Sequence, residues 1–364
     1  MGLDERSWET IASDSVLLKA VGNWRENSEK WLEYSIERLN ETVRVNPLRE
    51  DIVWVENWLE EIGGTKIEWF TGVGSAWNLP FPRGKAEGDV KIILSALHET
   101  GRLTRQEAVS MIPAIVLDAK PGELVLDMCA SPGSKTTQIA EHLEGSGIVM
   151  ANEIASSRIN TLVANVKRHG SITPIITHHD GRFIPKVPET GFDKILVDAP
   201  CTGSATTRKN PEVWKKWLPS GGKSLHKLQL ELLLKAINLT KPGGKIVYST
   251  CSLDPVENEA VISEVLRLSK EISLVPMSEK LVDLPGRCGM TDWPQLDDSG
   301  NIIESSKIVK SMLPPTDIDI KEELKKCLRI WNDDVKAGGF FVAVLKKEEE
   351  YVEKIVDFEK IIEP

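Results

Sequence analysis

Leu124-Val125-Leu126-Asp127-Met128-Cys129-Ala130-Ser131-Pro132-Gly133-Ser134-Lys135-Thr136-Thr137 is the stretch on which the fold turns. An apolar run of strand length ends in an acid, a turn of small residues follows, and a helix-compatible segment (135–143) begins at once. A strand that runs into a helix through such a turn opens a β-α-β unit, and the turn lets backbone N–H groups and the helix N-terminus approach a polar ligand. The phosphate-loop pattern Gly-x-x-x-x-Gly-Lys-Ser/Thr is broken, because Cys129 and Ser134 stand where its glycines belong. The dinucleotide pattern Gly-x-Gly-x-x-Gly is absent as well.

Downstream, strands and helices alternate: strand 148–153, helix 156–169, strands 174–177 and 194–200, helix 225–239, strand 245–251, helix 255–268 and a last strand at 339–345. Short apolar strands alternating with helices predict a mainly parallel sheet covered on both faces, a doubly wound α/β domain. The segment 276–325, rich in Asp, Pro and Ser, reads as an irregular insertion. Upstream, 1–42 carries Trp24, Trp31, Tyr34, Ile36 and Leu39 at helical spacing among charges and reads as a helical lead-in. A small α+β domain is expected over 43–98, with strands at 42–45, 66–70 and 76–79 around a helix at 52–62. The segment 90–117 reads as helical, Thr104 and Glu107 having capping-box spacing. The large α/β domain is expected over 99–348 and a helical tail over 349–364.

Composition narrows the function classes. The chain has 364 residues, 41% apolar, with a formal net charge of −10. That supplies a real core and disfavours holding nucleic acid by bulk charge. No stretch approaches the ~18 apolar residues of a membrane span, and the acidic N-terminus has no secretory core, so a cytoplasmic protein is expected. Cys129, Cys201, Cys251, Cys288 and Cys327 are scattered, with no Cys-x-x-Cys pair, so no disulfide framework and no metal site is expected.

In a doubly wound sheet, ligands bind at the carboxyl ends of the strands, and that is where the chemistry-bearing residues fall. Glu153 ends the second strand, in the place where an acid binds ribose hydroxyls; Asp180 and Asp198 follow the next two, completing a rim of acids. An isolated strand-end Asp is ordinarily a helix cap, so the series carries the weight. Cys201 in Asp198-Ala-Pro-Cys-Thr-Gly and Cys251 in Tyr248-Ser-Thr-Cys-Ser each end an apolar strand. A lone Cys is most often a small buried hydrophobe, whereas two at equivalent strand ends point to thiolate nucleophiles. Between Cys201 and Leu230 six Lys/Arg face one acid. Here Arg208, Lys209, Lys215 and Lys216 interleave with Trp214, a composition suited to phosphates and stacked bases as well as to a solvated amphipathic turn.

Several order-preserving segments together resemble the Sun-type (Nop/Sun) RNA cytosine-5 methyltransferases, in particular the tRNA-modifying branch. They are Glu99-Thr-Gly with Arg105-Gln-Glu-Ala-Val-Ser-Met-Ile-Pro113, then 127–135, 198–216, 248–262 and 338–345; the likeness spans 304 of 364 residues. It implies a class I S-adenosylmethionine-dependent (Rossmann-like) domain behind a small RNA-recognition-like domain. By position, Cys129, Ala130, Ser131, Pro132, Gly133, Ser134, Lys135, Glu153, Arg158, Asp180 and Asp198 would bind the cofactor. Cys251 would be the nucleophile that adds to cytosine C6, Cys201 would assist release of the product, Asp198 would bind the N3/N4 edge of the base, and Lys135 would support the anionic intermediate. Arg208, Lys209, Trp214, Lys215 and Lys216 would hold a locally opened RNA, tRNA being the expected substrate.

Two departures stand out: Ala130-Ser131-Pro132-Gly133 replaces the common Ala-Ala-Pro-Gly, and Thr202-Gly203-Ser204-Ala205-Thr206 replaces Ser-Gly-Asp-Gly-Thr. The second bears on the target more than on the reaction. The chain stops soon after the last strand, the expectation for a prokaryote-like, archaeal member. Competing readings are a phosphate-loop nucleotide enzyme, a non-catalytic RNA-binding protein, an enzyme acting on ribosomal RNA and, more weakly, one acting on DNA. The broken glycine pattern and the paired cysteines count against the first two.

Overall fold

The computed structural model describes residues 5–277, 280, 281, 283–304 and 308–349. The expected tail helix therefore lies outside the described residues apart from its first position. The lead-in forms three helices, Glu5–Ser13, Val16–Trp24 and Ser28–Ile36. Their apolar stripe is buried against tryptophans from distant segments: Trp24 meets Trp217 edge-on at 5.6 Å, and Trp31 meets Trp214 at 5.5 Å. Fully buried aromatic side chains contribute roughly 1.5–3 kcal/mol each by burial, and edge-to-face pairing adds to it.

The small domain is a four-stranded sheet in the order Thr65–Lys66, Ser75–Pro82, Asn40–Val45, Leu103–Arg105, with Ile52–Glu61 and Gly88–Glu99 as its helices. Its fourth strand lies beyond the expected boundary at 98/99 and replaces the middle of the expected 90–117 helix. Gly101, at φ +70°, is the reason: a Cβ there would lie 2.0 Å from the Arg168 carbonyl oxygen, so the chain turns back tightly and enters the sheet. Thr104 accordingly belongs to a strand, and Glu107 alone caps the 3₁₀ turn Ala108–Met111 that leads into Ile112–Leu117. The strand expected over 66–70 is only two residues long.

The large sheet has nine strands among the described residues. Its parallel part runs Thr240–Thr250, Phe192–Asp198, Leu124–Asp127, Ile148–Asn152, Pro174–Thr177. Phe340–Lys347 pairs antiparallel with Thr240–Thr250 and carries Leu328–Ile330, Arg287–Cys288 and Ile272–Leu274 on its other side. Strand order reverses between Leu124–Asp127 and Phe192–Asp198, so the helices that follow these two strands lie on opposite faces and leave a crevice at their carboxyl ends. The outer strands at 272–274 and 328–330 are three residues long, too short to show a period in sequence. Within 276–325 the described residues form the edge strand Arg287–Cys288, one small hairpin, Gln295–Leu296 with Ile302–Ile303, the 3₁₀ turn Lys310–Met312 and the helix Ile318–Leu324.

The small and large domains meet through a buried polar seam. Arg44, with no solvent exposure, makes two hydrogen bonds to Glu141 at 2.6 and 3.0 Å. It also bonds Gln106 and reaches Thr137 at 3.1 Å, while His169 Nε2 lies 2.9 Å from Glu141. Burial pushes the Glu141 carboxyl up, but Arg44 and His169 more than offset it and hold the group ionised. A buried charge satisfied by this many partners fixes one domain against the other.

Candidate active site

At the crevice, Leu124–Asp127 passes through the Cys129–Gly133 turn into Ser134–His142. Gly133 sits at φ +107°, and a Cβ would press on Leu162 Cδ1 at 3.0 Å, so the turn can pass this close to the neighbouring helix only as glycine. Arg158 fixes the turn from the side, donating to Ser131 O at 2.6 Å, while Ser131 Oγ donates to Arg158 O at 2.9 Å. Asp127 is buried; burial foremost lifts its carboxyl to about 7, although Thr136 Oγ1 donates to it at 2.7 Å. Its Oδ1 has no partner. Glu153 is also buried, with Oε1 accepting Ala155 N at 2.8 Å and Oε2 3.6 Å from Arg158 Nη1. An orphaned carboxylate oxygen, a glycine-lined turn and a buried strand-end acid fit a bound nucleoside with polar edges.

The chemistry-bearing groups lie on the next two strands. Lys135 Nζ donates to Asp198 Oδ2 at 2.7 Å, and Ser249 Oγ donates to Oδ1 at 2.8 Å. Burial opposes the Lys135 charge, but Asp198 outweighs it, and the ammonium is held above its ordinary range. Cys201 and Cys251 approach to 3.3 Å between sulfurs, both half-buried. The hydrogen bond from Cys201 is the main influence lowering the Cys251 thiol, with Lys135 acting in the same sense; the same bond, together with burial, pushes Cys201 well up. The pair is thus polarised, with the Cys251 thiol held below its ordinary range and the Cys201 thiol above it.

A cleft of about 550 Å³ opens over this group and is lined by Pro132–Lys135, Arg158, Asp198, Lys209 and Cys251 among the residues singled out from sequence. Cys129, Ala130, Ser131, Glu153, Asp180 and Cys201 are not among its lining residues, although Cys201 touches Cys251 and Glu153 lies beside Arg158. Asp180 is occupied by Arg182 at 2.6 Å, which also reaches Glu231 at 3.1 Å. Burial raises the Cys129 thiol and so disfavours its thiolate.

Two of the expected RNA contacts are corrected by the structure. Trp214 is buried against Trp31 and presents no face for stacking, because the lead-in needs it as a core residue. Arg208 is likewise buried, donating to the carbonyls of Glu37 at 3.1 Å and Ala337 at 3.2 Å; it ties the lead-in to the loop before the last strand. Lys215 lies over the Trp8 ring at 4.5 Å, and Lys216, largely exposed, is 3.2 Å from Glu212.

Sequence reasoning missed the cations that the small domain brings to the cleft. Arg83 follows its hairpin strand and Arg105 ends its last strand; both line the cleft with Lys209. No side-chain hydrogen bond or ion pair is found for these three among the described residues, and Arg105 Nε is buried without a partner. Arg105 opens one of the segments that carry the family resemblance, but neither it nor Arg83 lies near the cysteines in the chain, so no local pattern joins them to the site.

Fold and site together are those of a Rossmann-like α/β domain with a paired-thiol cleft. The chain belongs to the 16S rRNA methyltransferase RsmB/F family, whose model matches residues 114–346. It is 40% identical to a multisite-specific tRNA:(cytosine-C(5))-methyltransferase of Saccharomyces cerevisiae, over 76% of this chain and 44% of the yeast protein. It is 37% identical to a tRNA (cytosine(49)-C(5))-methyltransferase of Pyrococcus abyssi, over 88% of this chain and 93% of that one. The chain thus spans under half the length of the yeast relative. Among solved structures, a methyltransferase homologue from Pyrococcus horikoshii superposes with a TM-score of 0.67 at 29% identity, covering 90% of this chain and 93% of its own.

Proposed function

We propose that the protein transfers a methyl group from S-adenosylmethionine to C5 of cytosine in RNA, and that the RNA is tRNA. The observation that carries this is the polarised pair Cys201–Cys251 beside Lys135 and Asp198 in one cleft. A binding protein needs neither thiol, and cytosine C5 accepts a methyl group only after a nucleophile has added to C6.

Cofactor-side residues are the Cys129–Gly133 turn, Asp127, Glu153 and Arg158, and the bound cofactor supplies an electrophilic sulfonium methyl group. Cys251 Sγ forms a bond to C6, the π pair of the C5–C6 bond moves onto C5 with Lys135 stabilising the negative charge, and that pair would form the new bond to the methyl carbon as its bond to the cofactor sulfur breaks. Asp198 accepts from the exocyclic amine of the base, as carboxylates do with cytosine N4. Loss of the C5 proton to a base restores the double bond and breaks the Cys251–C6 bond. Cys201 S–H donates to the departing thiolate, the direction in which the pair is already polarised. Arg83, Arg105 and Lys209 supply the positive rim for phosphates around an unstacked target.

Substrate choice rests on the relatives named for tRNA, and the protein is expected to act in the cytoplasm; the small domain is read as RNA-recognition-like. Methyl transfer from labelled S-adenosylmethionine to unmodified tRNA and to ribosomal RNA, with the product mapped by bisulfite sequencing, tests the reading. 5-Methylcytosine in tRNA supports it, product confined to ribosomal RNA moves the substrate, and no methylated cytosine in either overturns it.

A further inference from the structure

The two cysteine loops are fastened from behind by one side chain that touches neither sulfur. Glu257 is buried, with no solvent exposure, in the segment between Cys251 and the helix Glu259–Leu268. Its Oε1 accepts the backbone N–H of Thr202 at 2.9 Å and Gln229 Nε2 at 3.1 Å. Its Oε2 accepts Thr202 Oγ1 and Ser252 Oγ, each at 2.5 Å. Thr202 directly follows Cys201, and Ser252 directly follows Cys251. Gln229 also donates to Pro200 O at 2.9 Å, on the other side of Cys201. The neighbouring Asn258 completes the hold on the second loop, donating to Ser252 O at 2.9 Å and accepting Thr250 Oγ1 at 2.6 Å.

Given the two-thiol reading above, we propose that Glu257 is a positioning residue that sets the spacing of Cys201 and Cys251 by gripping both of their loops with one carboxylate. Four donors converge on two oxygens, a geometry that a carboxylate accepts and no apolar side chain can. The long helix behind it, Pro219–Leu239, is shaped to fit: at Gly222 a Cβ would lie 3.2 Å from Glu257 Cγ and 2.4 Å from Asp254 Oδ2. Burial pushes the Glu257 carboxyl above its ordinary range while the donors from Ser252, Thr202 and Gln229 pull it back, and a second buried carboxyl beside it, Asp254, is raised by burial and by Glu257 to about 8. Such an expense in the core is retained where it specifies a geometry.

The charge also reaches the thiols. Cys251 faces Cys201, Asp198, Lys135 and Glu257, and Cys201 faces Cys251 and Glu257; in both cases Glu257 disfavours the thiolate. Glutamine in its place keeps the links, since hydroxyls can accept from the amide as readily as they donate to the carboxylate, and removes only the charge.

The test compares Glu257→Ala, Glu257→Gln, Ser252→Ala and Cys251→Ala in methyl transfer to unmodified tRNA and, without RNA, in the pH dependence of thiol alkylation by iodoacetamide read by mass spectrometry. A misplacement of about 1 Å costs on the order of a hundredfold, so Glu257→Ala is expected to lower kcat by about that factor with KM for RNA unchanged. Glu257→Gln restores most of kcat and moves the alkylation midpoint of the thiols to lower pH. Ser252→Ala, which keeps the carboxylate and should fold even where Glu257→Ala does not, lowers kcat without raising KM. Wild-type kcat in Glu257→Ala or Ser252→Ala with Cys251→Ala inactive overturns the inference alone. Activity in Cys251→Ala overturns the two-thiol reading and the inference with it.

Discussion

Cys201 and Cys251 place their sulfurs 3.3 Å apart although fifty residues separate them in the chain. Each ends one of two adjacent parallel strands, Phe192–Asp198 and Thr240–Thr250, so the register of that pair brings them side by side. The asymmetry of their surroundings then divides the labour, Cys251 next to Lys135 and Cys201 next to the Glu257 network.

The division predicts different failures. Cys251→Ala should abolish methyl transfer, whereas Cys201→Ala should bind RNA, form the covalent adduct and release it slowly. Denaturing gel electrophoresis with labelled RNA checks this: a stable protein–RNA band is expected with Cys201→Ala and none with Cys251→Ala. The opposite pattern exchanges the two roles.

Among the described residues Arg83, Arg105 and Lys209 line the cleft without carboxylate partners, in a chain that is net acidic. Neutralising any one should weaken RNA binding and lower the slope of log affinity against log salt by about 0.7 per lost phosphate contact to a single strand. Cofactor affinity should be unchanged. Filter binding over a salt series reads both, and an unaltered slope removes the residue from the RNA path.

Asp127 has a pH signature. Its carboxyl titrates at about 7 in the folded protein against 3.8 ordinarily, burial being the chief cause. Between these values the folded state holds a proton that the unfolded state has lost, so wild-type stability falls as pH rises through this window and is fully diminished above it. Asp127→Asn does not titrate. Relative to wild type it should therefore gain stability from pH 4 to pH 8, by up to roughly 4 kcal/mol. Thermal unfolding of the two proteins across that range is the measurement, and a constant difference would mean that the buried acid is ionised throughout.

The domain seam makes a stability prediction. Arg44→Ala strands the Glu141 carboxylate inside the protein and should cost about 3–5 kcal/mol. Replacing both, Arg44→Met with Glu141→Leu, should recover most of the loss, because a volume-matched apolar pair carries no desolvation debt. Denaturant unfolding of the single and double variants distinguishes a buried charge pair from a dispensable one.

Much of this was legible in the chain itself. Apolar runs such as 124–127 and 174–177 bounded by turn residues fixed strand identity, and the helix 156–169 is found where its period placed it. Strand-end position nominated Asp198, Cys201 and Cys251 together, because alternation of strand and helix dictates that carboxyl ends share one edge of the sheet, and the family resemblance added Lys135. What sequence could not supply was decided by contacts between residues far apart in the chain. Composition marked Trp214 and Arg208 as RNA contacts, yet an aromatic beside cations reads alike whether it stacks on a base or on Trp31, and only the packing of the lead-in distinguishes them. Arg83 and Arg105 reach the cleft because the small sheet docks through Arg44, and Glu257 meets both cysteine loops only once the strands are paired. Local patterning specifies elements and their ends, whereas burial, charge pairing and thiol reactivity depend on neighbours supplied by the completed fold.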